Sequence, residues 1–257
     1  MSTDTYRELS DSERAAVSAA EDGYRFFERL SFEEALASFR KAAGLWPEQE
    51  IYWYDIARTL RETGAYGEAL ASIEEAIRLN PQEPQFRHAR GNIKRSLNDL
   101  RGAVDEFKQA LELDSSFPAH NNLGLTYLEL GELALARDVL EIGLNLTPDD
   151  TDLLLNLSSV IYNLDRFAIA ALCDQRLTEL DPNMTEAWTR LANDYYRLGC
   201  YEMAESAVRR AISQGDSSSE TCSLLEEILL ELGPRQRVER SDRDCLAGHL
   251  QSSPGSP

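Results

Sequence analysis

The stretch "HNNLGLTYLELGELALARDVLEIGLNLTP", residues 120–148, decides the fold. Apolar residues recur at helical spacing on both sides of Gly131, so it reads as helix, tight turn, helix, closed by Pro148. Leu123, Gly124 and Tyr127 mark the first helix and Ala136 the second. Asn121 and Asn122 stand out at the start, because asparagine costs a helix roughly 0.5 kcal/mol relative to alanine.

The same pattern returns along the chain. Pro47, Pro81, Pro148 and Pro182 follow the endings "LWP", "LNP", "LTP" and "LDP", at gaps of 34, 67 and 34 residues. The long gap is one period of 34 plus one of 33, with Ser115 in the proline slot. Ala35, Ala69, Ala103, Ala136, Ala170 and Ala204 mark one small-residue position. Gly23, Ala57, Gly91, Gly124, Ser158 and Ala192 mark another, twelve residues earlier. Small side chains at both slots are expected where two helices approach closely. Seven residues after the second set stand Gly64, Asn98, Gly131, Asp165 and Gly199, residue types that tolerate the left-handed conformation ending a helix. The first unit has Leu30 and Ser31 there, and Ser31 with Glu34 is expected to form a capping box. In the second unit Trp53, Ile56, Ala57 and Leu60 are expected to be buried, facing Ala69, Ile73 and Ala76. No strand signal is present.

Six units follow from this period: 16–49, 50–83, 84–116, 117–150, 151–184 and 185–218. Residues 1–15 form an N-terminal extension and helix start. Residues 219–233 read as a capping helix, unusually apolar through Leu224, Leu225, Ile228, Leu229, Leu230 and Leu232. Residues 234–257 have the composition of a disordered tail.

Composition narrows the function classes. A net charge of -19 over 257 residues argues against a surface for nucleic acid or anionic membrane. No apolar stretch reaches the 18 or so residues of a membrane span, and the N-terminus lacks a signal-peptide pattern. Cys173, Cys200, Cys222 and Cys245 form no CxxC pair, which disfavours a zinc site or a disulfide framework. A reducing, cytoplasmic setting is the expectation. The histidines His88, His120 and His249 belong to no metal or hydrolase motif, and no phosphate-binding glycine loop is present. The chain is therefore expected not to be an enzyme and to hold no cofactor or metal. The His88/Asn92 pair reads as two polar residues on an exposed helical face.

The recurring leucine, glycine or alanine, tyrosine, alanine and proline resemble the tetratricopeptide repeat (TPR). "HNNLGLTYLELGELALARDVLEIGLNLTP" carries Leu123, Gly124, Tyr127, Ala136 and Pro148 of that pattern, and "WTRLANDYYRLGCYEMAESAVRRA" carries Trp188, Leu191, Ala192, Tyr195, Ala204 and Ala211. The resemblance covers about four fifths of the chain. It implies an all-α, right-handed α-solenoid of about six helix-turn-helix units with a C-terminal capping helix. Two departures stand out. Arg87, Arg90 and Lys94 replace large apolar residues in the third unit, where their stems can pack while the charges reach water. Asp174 stands where an aromatic is usual and has no explanation in the sequence.

The resemblance also implies a concave groove lined by the first helix of each unit. Counting from 117, 151 and 185, its lining includes Asn122, Leu125, Leu128, Leu155, Asn156, Ser159, Tyr162, Asn163, Arg190, Asn193 and Tyr196. Amides both donate to and accept from a peptide backbone, and leucine and tyrosine supply apolar area. Asn122, Asn156 and Arg190 share one repeat position, where asparagines in some family members form a ladder along an extended chain. Arg190 departs from the ladder and is suited to a carboxylate. The carboxylate clamp of chaperone adaptors does not fit, because Asp152 takes the place of a required cation. Arg58, Arg61 and Arg95 give the groove a basic half, whereas Arg87 and Arg90 are expected to serve packing and ion pairs.

The resulting expectation is an interaction adaptor or scaffold, active in assembling a multiprotein complex, that binds a peptide or helix. The segment would be acidic and partly apolar. The alternative is a homo-oligomeric scaffold that self-associates through its terminal helix.

Overall fold

The computed structural model describes residues 9–116 and 118–233. The proposed tail at 234–257 and most of the N-terminal extension lie outside these residues. Thirteen helices and no strand occur among the described residues: α1 (Asp11–Glu28), α2 (Phe32–Leu45), α3 (Glu50–Glu62), α4 (Tyr66–Leu79), α5 (Pro84–Ser96), α6 (Leu100–Leu113), α7 (His120–Glu129), α8 (Leu133–Leu146), α9 (Thr151–Asn163), α10 (Phe167–Leu180), α11 (Thr185–Arg197), α12 (Tyr201–Ser213) and α13 (Ser219–Leu232). Consecutive helices pack as hairpins, α1 on α2, α3 on α4, α5 on α6, α9 on α10 and α11 on α12. The chain divides within α7 into two compact units, Met1–Thr126 and Tyr127–Pro257.

Size matching at the small slots explains how the hairpins close. The alanines of the first set are fully buried. At Gly23 an added Cβ would lie 2.6 Å from the Phe39 ring, and at Gly91 2.6 Å from the Phe107 ring. Glycine is thus required where the residue sixteen positions later is phenylalanine. Where that later residue is Ile73 or Val208, the slot holds Ala57 or Ala192.

Every first helix of the six hairpins ends in the same closure. Gly64, Asn98, Gly131, Asp165 and Gly199 have φ of 78°, 62°, 74°, 57° and 73°. The N–H of each bonds the carbonyl three residues back, and the next N–H reaches five back, as from Gly199 to Tyr196 (2.9 Å) and Cys200 to Tyr195 (2.8 Å). The first hairpin makes this closure with a leucine. Leu30 has φ 59°, and Leu30 and Ser31 donate to Phe27 and Phe26 at 2.9 Å each. The expected capping box at Ser31 does not form, since its side chain makes no cap bond. A capping box is found instead at α1, where Ser10 and Glu13 satisfy each other's backbone N–H.

Other expectations need correction. Tyr52 is buried in α3 and Trp53 only partly, its indole N–H donating to the Pro47 carbonyl at 2.9 Å. On α13, Leu224 (7% exposed) and Ile228 (0%) belong to the core of the second unit, whereas Leu230 is 80% exposed. Arg87, Arg90 and Lys94 converge on buried Glu106 at 3.9, 2.8 and 2.8 Å, the packing role expected for the two arginines. No described helix is long and apolar enough to cross a membrane.

Candidate functional site

The second unit holds a pocket of about 330 Å³ between α9, α10 and α11. It is lined by Ser158, Ser159, Tyr162 and Asn163 of α9, Asp174 of α10, and Arg190, Asn193 and Asp194 of α11. Five of the predicted groove residues, Ser159, Tyr162, Asn163, Arg190 and Asn193, therefore come together here. α9 is started by Asp150, whose carboxylate caps the Leu153 N–H at 3.0 Å. That cap fixes the start of the helix carrying Ser158 to Asn163, which lie about two to three and a half turns further along.

The floor of the pocket is ionisable. Asp174 and Asp194 are each 1% exposed. Arg190 reaches Asp174 Oδ1 with Nε at 3.4 Å, while its Nη2 donates to the Leu155 carbonyl at 3.1 Å and to Ser159 Oγ at 2.8 Å. The carboxylate that Arg190 was expected to take from a ligand is thus supplied from within the chain. Burial raises the Asp174 carboxyl above its usual range, against the pull of Arg190 and neighbouring Ser158 and Asp194. Burial and the charge of Asp174 together push Asp194 up to about 9. Asp194 has only the neighbouring Asp174 carboxyl as a partner, no N–H or hydroxyl reaching its oxygens, and Ser158 Oγ, which faces Asp174, accepts from no donor. At neutral pH Asp194 holds its proton, because two adjacent buried carboxylates do not both ionise readily.

Asp174 occupies the slot filled by Phe39, Ile73, Phe107, Leu140 and Val208 in the other hairpins. Its partners depart from the repeat as well. Ser158 takes a glycine-or-alanine slot, and Asp194 takes a slot filled by Thr59, Ile93, Thr126 and Val160 in the second to fifth hairpins. Three polar departures in adjacent layers were the signal for this site. Only the first was noticed in the sequence, because the other two are residue types that ordinarily pass on a helix surface.

Tyr162 at the pocket belongs to an aromatic and cationic cluster whose other members lie outside the lining. Tyr162 packs edge-on against Phe167 at 5.1 Å between centroids, and Arg197 lies 4.1 Å over Phe167 while donating to the Tyr162 hydroxyl at 3.0 Å. Asn193 donates to the Thr189 carbonyl of its own helix at 3.3 Å, leaving its amide oxygen toward the pocket side. Asn163 is exposed. Leu155 and Tyr196 are half-buried, the latter against Tyr201 at 5.8 Å, and Asn156 is half-buried and engaged. Leu128, also half-buried, lies on the part of α7 that belongs to this unit.

The remaining candidates belong to the first unit. Asn122 bonds His88 Nε2 through its amide nitrogen at 2.7 Å, so His88 is not the solvated residue expected. Burial, then the nearby Arg61 charge, lowers His88 to about 4, which leaves a neutral ring to accept from Asn122. Arg58 stacks 4.3 Å over Phe27 and lies 3.7 Å from buried Asp55. Asp55 accepts from the Tyr24 hydroxyl at 2.6 Å, and burial raises its carboxyl to about 6. Arg61 pairs with Glu62 at 2.5 Å. Arg95 and Leu125 are half-buried. The predicted groove arginines Arg58, Arg61 and Arg190 thus have acidic partners inside the chain, and Arg95 is engaged as well.

Comparison with known proteins gives consistent matches. A TPR-repeat family model matches residues 91–131, and two tetratricopeptide-repeat models match residues 21–84 and 117–150. Among curated proteins, the chain is 30% identical over 171 residues to TPR repeat-containing thioredoxin TTL4 of Arabidopsis thaliana, covering 66% of this chain and 21% of that protein. It is 30% identical over 107 residues to DnaJ homolog subfamily C member 7 of Mus musculus, covering 42% of this chain and 22% of that protein. The chain spans about a fifth of the length of these relatives. Among solved structures, it resembles YrrB, described as a TPR protein with an unusual peptide-binding site, with a TM-score of 0.62 and 21% identity over 73% of this chain and 97% of that one. At that identity the likeness speaks for the fold.

Proposed function

The chain belongs to the tetratricopeptide-repeat proteins, and from that premise we propose that it is a non-catalytic adaptor that holds a partner segment on the α9–α11 face of its second unit. Tetratricopeptide-repeat proteins generally mediate protein–protein interactions. The observation that carries the proposal is the pocket itself. Five residues expected from the sequence to line a groove, drawn from two helices, surround one cavity of about 330 Å³. That size suits one long side chain, with Tyr162, Asn163 and Asn193 at its rim to meet the backbone of an extended segment. YrrB carries a peptide-binding site on the same fold. Asn156 adds to the face of the second unit, and Asn122, Arg58, Arg61 and Arg95 of the first unit are proposed as contacts of their own. Because Arg58, Arg61 and Arg190 are already paired with acids of the chain, they lend an acidic partner little support.

Asn163→Ala and Asn193→Ala combined test the site, since neither side chain bonds across helices in the structure. Affinity capture with the parent and the double variant, at matched thermal stability, should show partners lost selectively from the variant. An unchanged partner list at equal stability would remove the α9–α11 face from consideration.

Self-association through α13 is the second reading, favoured by Leu229 and Leu230 at 41% and 80% exposure. Leu224 takes no part in it, being in the core. Light scattering of the parent and a Leu229→Gln, Leu230→Gln variant decides the matter, and a monomer in both would end it.

A further inference from the structure

Asp194 is the one side chain among the described residues with two buried oxygens that no N–H or hydroxyl reaches, its one hydrogen-bond partner being the neighbouring carboxyl of Asp174. Leaving such a group unpaired costs about 1–3 kcal/mol, more if it is charged. The Ser158 hydroxyl, fully buried, faces Asp174 and accepts from no donor, and both residues line the pocket. Three acceptor oxygens therefore stand together at the floor of a cavity whose other carboxylate, Asp174, is already bridged to Arg190 at 3.4 Å. We infer that the pocket receives the ammonium group of a lysine side chain from the partner's segment, with Asp194 and Ser158 as its acceptors. This rests on the α9–α11 face being the binding face.

The donor set selects among cations. A divalent metal finds too few ligands, since no cluster of three metal-ligating side chains occurs among the described residues. A guanidinium needs a flat bidentate partner, and the Arg190 guanidinium already fills the flank formed by Asp174, Ser159 and the Leu155 carbonyl. An ammonium is compact, presents three donors and carries a four-carbon stem that suits the Tyr162 ring at the pocket. Binding converts Asp194 from acid to carboxylate, so the pocket changes from neutral to singly negative as the cation enters. The charged groups acting on Asp194 are Asp174, which opposes this ionisation, and Arg190, which favours it. Cys173 and Tyr162 are the further titratable neighbours, and burial holds the Cys173 thiol up to about 12. A proton is therefore released when lysine binds below the Asp194 value of about 9.

The test uses the full chain and an acetylated, amidated peptide, Gly-Ser-Ala-Lys-Ala-Ser-Gly, with counterparts carrying norleucine or Nε-acetyl-lysine at the centre. NMR titration should show the lysine peptide shifting the amides of Ser158, Ser159 and Asn193. Calorimetry in phosphate and Tris should report roughly one proton released, and Kd should fall about tenfold from pH 7 to pH 8. The two uncharged peptides should bind at least about tenfold more weakly. Asp194→Asn and, independently, Ser158→Ala should reduce the preference for lysine, the second without altering charge. If norleucine binds as well as lysine with no pH dependence, the ammonium assignment falls while the binding face stands. If no peptide shifts α9–α11 resonances, both fall together.

Discussion

Arg190 and Asp55 show how burial decides what a charge is worth in this chain. Asp174 is 1% exposed and Arg190 is its cationic neighbour. Arg190→Met should therefore destabilise the second unit by about 3 kcal/mol, because breaking a buried pair leaves one charge uncompensated. Asp174→Leu combined with Arg190→Met should return stability to within about 1 kcal/mol of the parent or above it, since leucine fills the same slot at Leu140. Urea titrations of the four species give the coupling directly, and additive losses would show that the pair is not energetically linked. Asp55 makes the opposite case. Its folded value of about 6 exceeds the ordinary 3.8, so the native state holds the proton more tightly and stability falls as pH rises between those values. Asp55→Asn keeps an acceptor for Tyr24 and removes the buried charge. It should be more stable than the parent at pH 7.5, with the advantage shrinking to nothing near pH 4. Reduced stability at pH 7.5 would mean that the 3.7 Å pairing with Arg58 outweighs the burial.

At the scale of the hairpin, stability is set by paired volumes and by the closure of each first helix. Gly91→Ala would drive a methyl to 2.6 Å from the Phe107 ring, an overpacking that should cost about 1–3 kcal/mol. Adding Phe107→Ile should recover most of the loss, because Ala57 and Ile73 hold the equivalent slots in the second hairpin. Thermal melts that show no recovery would refute the size matching. Leu30 adopts φ 59° with its side chain at the surface, so Leu30→Gly should stabilise the first unit by about 1 kcal/mol. These elements were legible in sequence where one residue type carries the constraint. The alanine and glycine slots and the left-handed Gly64, Asn98, Gly131, Asp165 and Gly199 could be named from spacing alone. Leu30 could not, because its closure is imposed by the packing of α1 on α2 rather than by its own preference. The rim of the pocket was legible too, through Tyr162, Asn163 and Asn193. Its floor was not, since Ser158, Asp174 and Asp194 come from three helices and have meaning only when these meet.

For the whole molecule the governing quantity is a net charge of -19. The exposed ion pairs, such as Arg40–Glu68 at 2.8 Å and Arg209–Glu205 at 2.7 Å, contribute little each and are screened by salt. The buried set around Glu106, with Arg90 and Lys94 at 2.8 Å, is shielded from ions and insensitive to them. What salt removes is then mainly repulsion among surplus carboxylates. Raising sodium chloride from 10 to 300 mM should increase stability by about 1 kcal/mol, or roughly 2–4 °C in melting temperature. A lower melting temperature at high salt would show instead that surface pairs outweigh the repulsion. The same field attracts a lysine-bearing segment from a distance, and salt weakens that attraction. Measured on one sample, melting temperature should thus rise with ionic strength while the association rate of the lysine peptide falls. An acidic segment would associate faster as salt is added, so the sign of the rate's salt dependence separates a basic partner from an acidic one.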